Sequence, residues 1–233
     1  LVQYWFGVKE GQEPYRLYVL SNLGSFIALG TYPFVIEPLF ALSFQSSLWT
    51  ALFLCFTAVY ALITYRFLRS AREKTLSHKT ENVRDDSVIP WSTRLQWVAF
   101  AALPAALMVA VTSQLTQVVA PVPFLWVLPL ALYLMSFILA FRGWGNGGLT
   151  GFLVLILAAL VYWHLGYDYS GITPQILGYL GCFFFASLYF HAQLYATRPE
   201  KEHAAFFYLF TALGGVVGTT IISLVAPVIF TDW

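Results

Sequence analysis

Seven stretches of the chain run for roughly a bilayer's thickness with hardly a charge: residues 17–36, 47–68, 95–115, 124–141, 149–166, 174–196 and 205–230. About 20 apolar residues are needed to cross the hydrocarbon as a helix. Membrane strands would instead alternate apolar and polar side chains in segments of about ten residues. No such alternation runs through these stretches. The pattern predicts an all-α, polytopic transmembrane helix bundle with seven spans.

The polar intervals divide the chain. Residues 1–69 read as the end of a preceding helix (LVQYWFG at 1–7) followed by two spans. Residues 70–93 mix Lys, Arg, Glu, Asp, Ser and Thr with almost nothing to bury, and read as a polar linker. Residues 94–233 read as a five-span bundle.

Positive charge then orients the spans. All twelve Lys and Arg fall before span one or in, or at the edges of, the connections after spans two, four and six, with Arg66 in the last turn of span two; the connections after spans one, three, five and seven contain none. With seven spans every positive charge lands on one side, which the positive-inside rule makes cytoplasmic. The linker 70–93 is therefore expected in the cytoplasm and residues 167–173 outside, the setting of a bacterial inner-membrane protein.

Composition narrows the class further. The chain is 59% hydrophobic and 10% charged, with a mean hydropathy of +0.72. Soluble domains are about 45–50% apolar and about 25% charged. The excess excludes a water-soluble globule and a disordered chain, and the formal net charge of +1 excludes a basic nucleic-acid binder. The expected partners are the lipid bilayer and other membrane-protein subunits, with no nucleic acid. Cys55 and Cys182 lie in apolar runs and are expected to be buried small hydrophobes. No metal site is expected from two cysteines and four scattered histidines. There is no G-x-G-x-x-G, H-E-x-x-H, G-x-S-x-G or C-x-x-C, so no cofactor and no catalytic residue is assigned.

Polar side chains inside the spans are where function would concentrate, because lipid makes them costly. Depth sorts them into two groups. Asn22, Ser25, His191, Gln193 and Thr211 lie near the cytoplasmic side; Glu37, Gln114, Gln117 and His164 lie near the external side. The first group reads either as a pocket for a small molecule or proton, or as interhelical hydrogen bonding worth about 0.6–2 kcal/mol per contact. Asn22, His191 and Thr211 sit at similar depths, so spans one, six and seven are expected to converge there. Apolar surroundings disfavour imidazolium, so His191 is expected to be neutral and hydrogen-bonded. Gly24, Gly178, Gly181, Gly214, Gly215 and Gly218 are expected to let helices approach closely.

Three blocks carry a family resemblance. They are EPYRLYVLSNLGS at 13–25 leading into Tyr32-Pro33 and Glu37-Pro38; APVPFLWVLPLALYLMSF at 120–137; and FHAQLYATRP at 190–199, followed by Phe207-Tyr208 and Gly214-Gly215. Together they resemble the membrane part of the multi-pass spermidine-synthase-like proteins of bacteria, the fused major-facilitator/spermidine-synthase type. The resemblance implies a partial major-facilitator-like arrangement, and in that family an aminopropyltransferase-like domain commonly follows. Where the family pattern tends to place acids, this chain has Gln117, Gln193 and Ala205. The resemblance with its acids neutralised implies a non-catalytic scaffold or accessory subunit of a larger membrane complex. The alternatives are the membrane half of a polyamine-synthase-like enzyme and a small-molecule transporter.

Overall fold

The computed structural model describes residues 15–77, 89–118, 124–145, 147–165 and 172–230, and all subsequent statements concern these. They are helical almost throughout, with no strand. Seven helical rods follow in order: α1 (Tyr15–Leu39), α2 (Leu42–Ser77), α3 (Trp91–Val118), α4 (Phe124–Ala140), α5 (Gly148–Leu165), α6 (Ile172–Ala196) and α7 (Lys201–Ile229). The rods coincide with the seven apolar stretches. Five of them, α1, α2, α3, α6 and α7, are long and apolar enough to cross a membrane; α4 and α5 are shorter apolar helices.

Prolines shape the two ends of the sequence in the same way. In α1 the turn Tyr32–Ile36 is a π-helix, closed by Glu37 N–H donating to the Tyr32 carbonyl just before Pro38. In α7 the turn Ile221–Val225 is also a π-helix, closed by Ala226 N–H donating to the Ile221 carbonyl just before Pro227. A proline ring crowds the carbonyl four residues back and offers no N–H. A widened turn relieves that clash and keeps the preceding amide bonded.

Two units divide these rods. Residues 31–77 form one, and residues 15–30 with 89–230 form the other. This departs from the expected split into 1–69 and 94–233. The start of α1 joins the larger unit because Tyr15 and Tyr18 pack their rings against Phe137, Phe141, Phe207 and Tyr208. The linker is also shorter than expected, since α2 stays helical to Ser77 and α3 begins at Trp91. Ala71, Arg72, Glu73 and Lys74 are good helix formers, and polarity ends a membrane span without ending a helix. The rest of that interval, 78–88, and the expected external turns at 120–123 and 167–171 lie outside the described residues.

Within the larger unit α6 packs against α3, α4 and α5, while α3 also packs against α4 and, most extensively, α7. The α3–α7 seam is built from absent side chains. A Cβ on Gly214 would lie 2.5 Å from the Val98 carbonyl oxygen and 2.7 Å from Ala101 Cβ, and one on Gly218 would collide with the Ala102 backbone. In lipid such close backbone approach replaces the hydrophobic drive that water would supply. At the end of α4 the chain turns through Gly143 at φ +92°. Trp144 N–H donates to the Leu139 carbonyl and Gly143 N–H to the Ala140 carbonyl, the Schellman pattern that closes a helix C-terminus. Gly145, at φ +87°, then passes so close to Leu188 of α6 that a side chain would not fit.

Candidate functional site

Buried aromatic and polar side chains collect at one end of the larger unit, where α1, α3 and α7 begin and α4 and α6 finish. Tyr18 of α1 bridges helices, its ring centre 5.2 Å from Phe137, 5.4 Å from Phe141 and 5.1 Å from Tyr208. Tyr15 lies edge-on to Phe207, which lies edge-on to Trp97 of α3. Edge-to-face pairs of this kind are favoured by the ring quadrupole. The cluster seals off the polar atoms behind it.

Two of these aromatics also anchor the connection between α6 and α7. Trp97 Nε1 donates to the Thr197 carbonyl at 3.0 Å, and the Tyr15 hydroxyl donates to the Pro199 carbonyl at 2.6 Å. Arg198 lies between them in sequence, donates to the Tyr195 carbonyl at 3.0 Å, and places its guanidinium 3.7 Å from the Tyr195 ring centre. Carbonyls at a helix C-terminus have no partner within the helix. Here the residues just beyond α6 are tied to α1 and α3. Neither Trp97 nor Tyr15 figures among the site residues expected from sequence, since the first reads as one aromatic of span three and the second precedes span one.

His191 is the largest polar side chain with no exposed surface, a state it shares with Ser136 and Ser187. Its ring centre is 3.9 Å from that of Phe137 and 5.0 Å from that of Tyr133, edge-on to the latter. Its Nδ1 lies 3.0 Å from Ser136 Oγ, and that oxygen is 2.8 Å from the Tyr133 carbonyl. Tyr133, Ser136 and Phe137 fall at helical i, i+3 and i+4, so one face of α4 supplies all three contacts. Ser136 is the partner that depth reasoning missed. It stands four residues before the end of α4, as His191 stands five before the end of α6, so the same depth argument applied to the fourth span would have reached it.

α1, α7 and the end of α6 meet at this end of the unit, but Asn22, His191 and Thr211 are not hydrogen-bonded to one another. Asn22 donates to its own helix at the Tyr18 carbonyl, Ser25 to Ser21, and Thr211 to Phe207. Short polar side chains can satisfy themselves one turn back and then need no neighbouring helix. Ser25 is exposed, Asn22 and Gln193 are half-buried, and Thr211 is buried. His191 therefore pairs across the α4–α6 seam, not among α1, α6 and α7.

The residues of the expected external group fall in both units. Gln114 is half-buried and Gln117 exposed, with no hydrogen bond between them, and Glu37 is exposed in the smaller unit. The His164 side chain lies outside the described residues. Of the glycines, Gly214 and Gly218 meet α3, and a Cβ on Gly178 would lie 3.3 Å from Val161 of α5; Gly24, Gly181 and Gly215 face open space. Cys182 is half-buried, but Cys55 is exposed on α2, which corrects the expectation of burial. An apolar face of a lipid-facing helix accepts a thiol as readily as a core does. No group of three or more His, Cys, Asp and Glu able to hold a metal is found among the described residues.

Compared with protein families, curated proteins and solved structures, the chain finds no match. What the fold and the site establish is a class: an all-helical protein with five helices apolar and long enough to cross a membrane. Its buried polar groups gather at one end of a tightly packed unit.

Proposed function

We propose that this chain is a seven-crossing integral protein of a bacterial inner membrane, with a partial major-facilitator-like arrangement. In this reading it acts as a non-catalytic scaffold or accessory subunit of a larger membrane complex. It resembles the membrane part of the spermidine-synthase-like family and retains that family's packing blocks. One observation supports the reading above the others: the buried polar groups hold helices together. Trp97 and Tyr15 bind backbone carbonyls beyond α6, and His191 binds Ser136 across α4 and α6. A proton-coupled carrier would require an ionisable acid in such a place. The residues here are aromatic, hydroxyl and imidazole groups.

Orientation follows the positive charges, with the linker in the cytoplasm. Single cysteines at Ser77 and Ser170, in a chain lacking Cys55 and Cys182, are expected to react with an impermeant thiol reagent from opposite sides. Reaction of both from one side overturns the seven crossings. For the role itself, the test is purification in mild detergent. Co-migration with other membrane subunits in fixed ratio supports the scaffold. A lone monomer overturns it, and restored turnover in the double variant Gln117→Glu, Gln193→Glu would favour the enzyme instead.

A further inference from the structure

Two fully buried polar atoms on α6 have no hydrogen-bond partner: Nε2 of His191 and Oγ of Ser187. They stand one helical turn apart on the same face, where Cβ atoms are about 5–6 Å from one another. Helical side chains lean toward the N-terminus and cover the preceding turn. The His191 side chain, packed against α4, shares its helix face with Ser187 one turn earlier.

Among the described residues Ser187 differs from the two other buried serine and threonine residues. Ser136 and Thr211 each reach back to a carbonyl of their own helix, at 2.8 Å in both cases. That is the default for such a side chain in apolar surroundings, since it costs nothing but a rotamer. Ser187 has the same option and is not bonded in this way.

The proton count at Ser136 sharpens the point. Its one hydroxyl hydrogen serves either the Tyr133 carbonyl or His191 Nδ1. In the first case Nδ1–H donates to Ser136 and Nε2 is left as an acceptor; in the second Nε2 carries the hydrogen and is left as a donor. Either tautomer leaves one demand at Nε2, and a buried polar group left unmet is destabilising. A small molecule that both donates and accepts meets it in both tautomers.

We propose that Ser187 Oγ and His191 Nε2 together bind one water molecule inside the α4–α6 seam. The chain of contacts then runs from the Tyr133 carbonyl through Ser136, the imidazole and the water to Ser187. This site depends on helix packing alone and stands or falls apart from the scaffold reading.

The test is water-edited solid-state NMR on the full chain in lipid bilayers, with histidine and leucine labelled by nitrogen-15 and carbon-13 and Leu194 assigned by its absence in Leu194→Ile. The His191 signals are assigned by their absence in His191→Gln. Magnetisation from water is expected to reach His191 within short mixing times while bypassing Leu194, which is equally buried one turn away. In Ser187→Ala that rapid transfer is expected to be lost; in Ser187→Thr, which keeps the hydroxyl, it is expected to remain. Build-up at His191 no faster than at Leu194 in the unmodified chain overturns the proposal, whatever the variants do. Transfer unchanged by Ser187→Ala overturns the part assigned to Ser187.

Discussion

The helices α2 and α3 are equally apolar, with hydropathies of 1.8 for both Leu42–Arg69 and Trp91–Gln117, yet none of the first window is buried and 28% of the second is. The difference lies in how side chains are distributed. Along α3, Val98, Ala101 and Ala102 leave room for Gly214 and Gly218, and Trp97 fills the end of the seam. Along α2, large residues face outward in stacked pairs: Trp49 over Phe53 and Phe56 over Tyr60. Three of its hydroxyls bond their own helix: Ser47 to Ser43, Thr50 to Ser46 and Thr57 to Phe53. Hydropathy thus selects the solvent. Small residues and shape select the neighbour.

The contrast breaks most severely where a side chain is added to the seam. Gly218→Val drives a branched side chain into the Ala102 backbone, and Gly214→Val meets the Val98 carbonyl. Overpacking is destabilising by about 1–3 kcal/mol, even where neighbouring side chains can shift. Backbone cannot give way, so both variants are expected at or beyond the top of that range, with loss of monodisperse protein in detergent. Gly215→Ala and Gly181→Ala meet nothing and are expected to change the melting temperature little. Equal loss at Gly215 and Gly218 would erase the distinction between seam and open face.

Next in size is the anchor beyond α6. Trp97→Phe removes the donor to Thr197, and Tyr15→Phe the donor to Pro199. Each is expected to lower stability by about 1–3 kcal/mol, the range for an acceptor left unpaired in a buried place. Trp97→Phe should be the worse, because it also leaves a void at a site only 1% exposed. Thermal unfolding of the two single variants and the double variant checks this.

The imidazole pair gives a smaller effect with a distinctive sign. His191→Leu removes one partner but leaves Ser136 its bond to the Tyr133 carbonyl. The expected loss is therefore near the lower end, about 1 kcal/mol. Ser136→Ala leaves a buried imidazole without its Nδ1 contact and is expected to be at least as harmful. The double variant should be no worse than the worse single one, since contacting residues couple. His191→Gln, which keeps a donor and an acceptor, should be the mildest. Strict additivity of the two single losses would show that the pair does not form.

How much of this was legible in the sequence follows from the same physics. The seven rods could be read because lipid requires long apolar runs, and 15–39, 42–77 and the rest fall where the runs fall. Burial of His191 was equally legible. Its partner was not, because depth gives one coordinate and the helical phase another. Asn22 and Thr211 share the depth but spend their hydrogen bonds on their own carbonyls. The split of α1 between two units was hidden too, since Tyr15 and Tyr18 look like interfacial aromatics until Phe207, Tyr208 and Phe137 are seen around them. Gly214 and Gly218 could be read as a packing face but not assigned a partner. The alanines of α3 are too common in spans to stand out.

The smallest expected effect is on α2, and it sharpens the comparison most. Thr57→Ala removes a hydroxyl that only bonds Phe53 of its own helix, and Trp49→Leu exchanges one exposed apolar side chain for another. Both are expected within about 0.5 kcal/mol in the purified chain, the usual range for exposed sites away from special features. The same two variants should then be followed in native membranes. If α2 faces only lipid, recovery of the chain and of anything co-purifying with it stays unchanged, because a lipid tail has no fixed shape to match. A protein partner would have one. Trp49→Leu would then leave the isolated chain as stable as before and still reduce the co-purifying subunits, since aromatic anchors carry a large share of interface energy. Thr57→Ala, which takes nothing from the outer surface but a bonded hydroxyl, is the control that must not move.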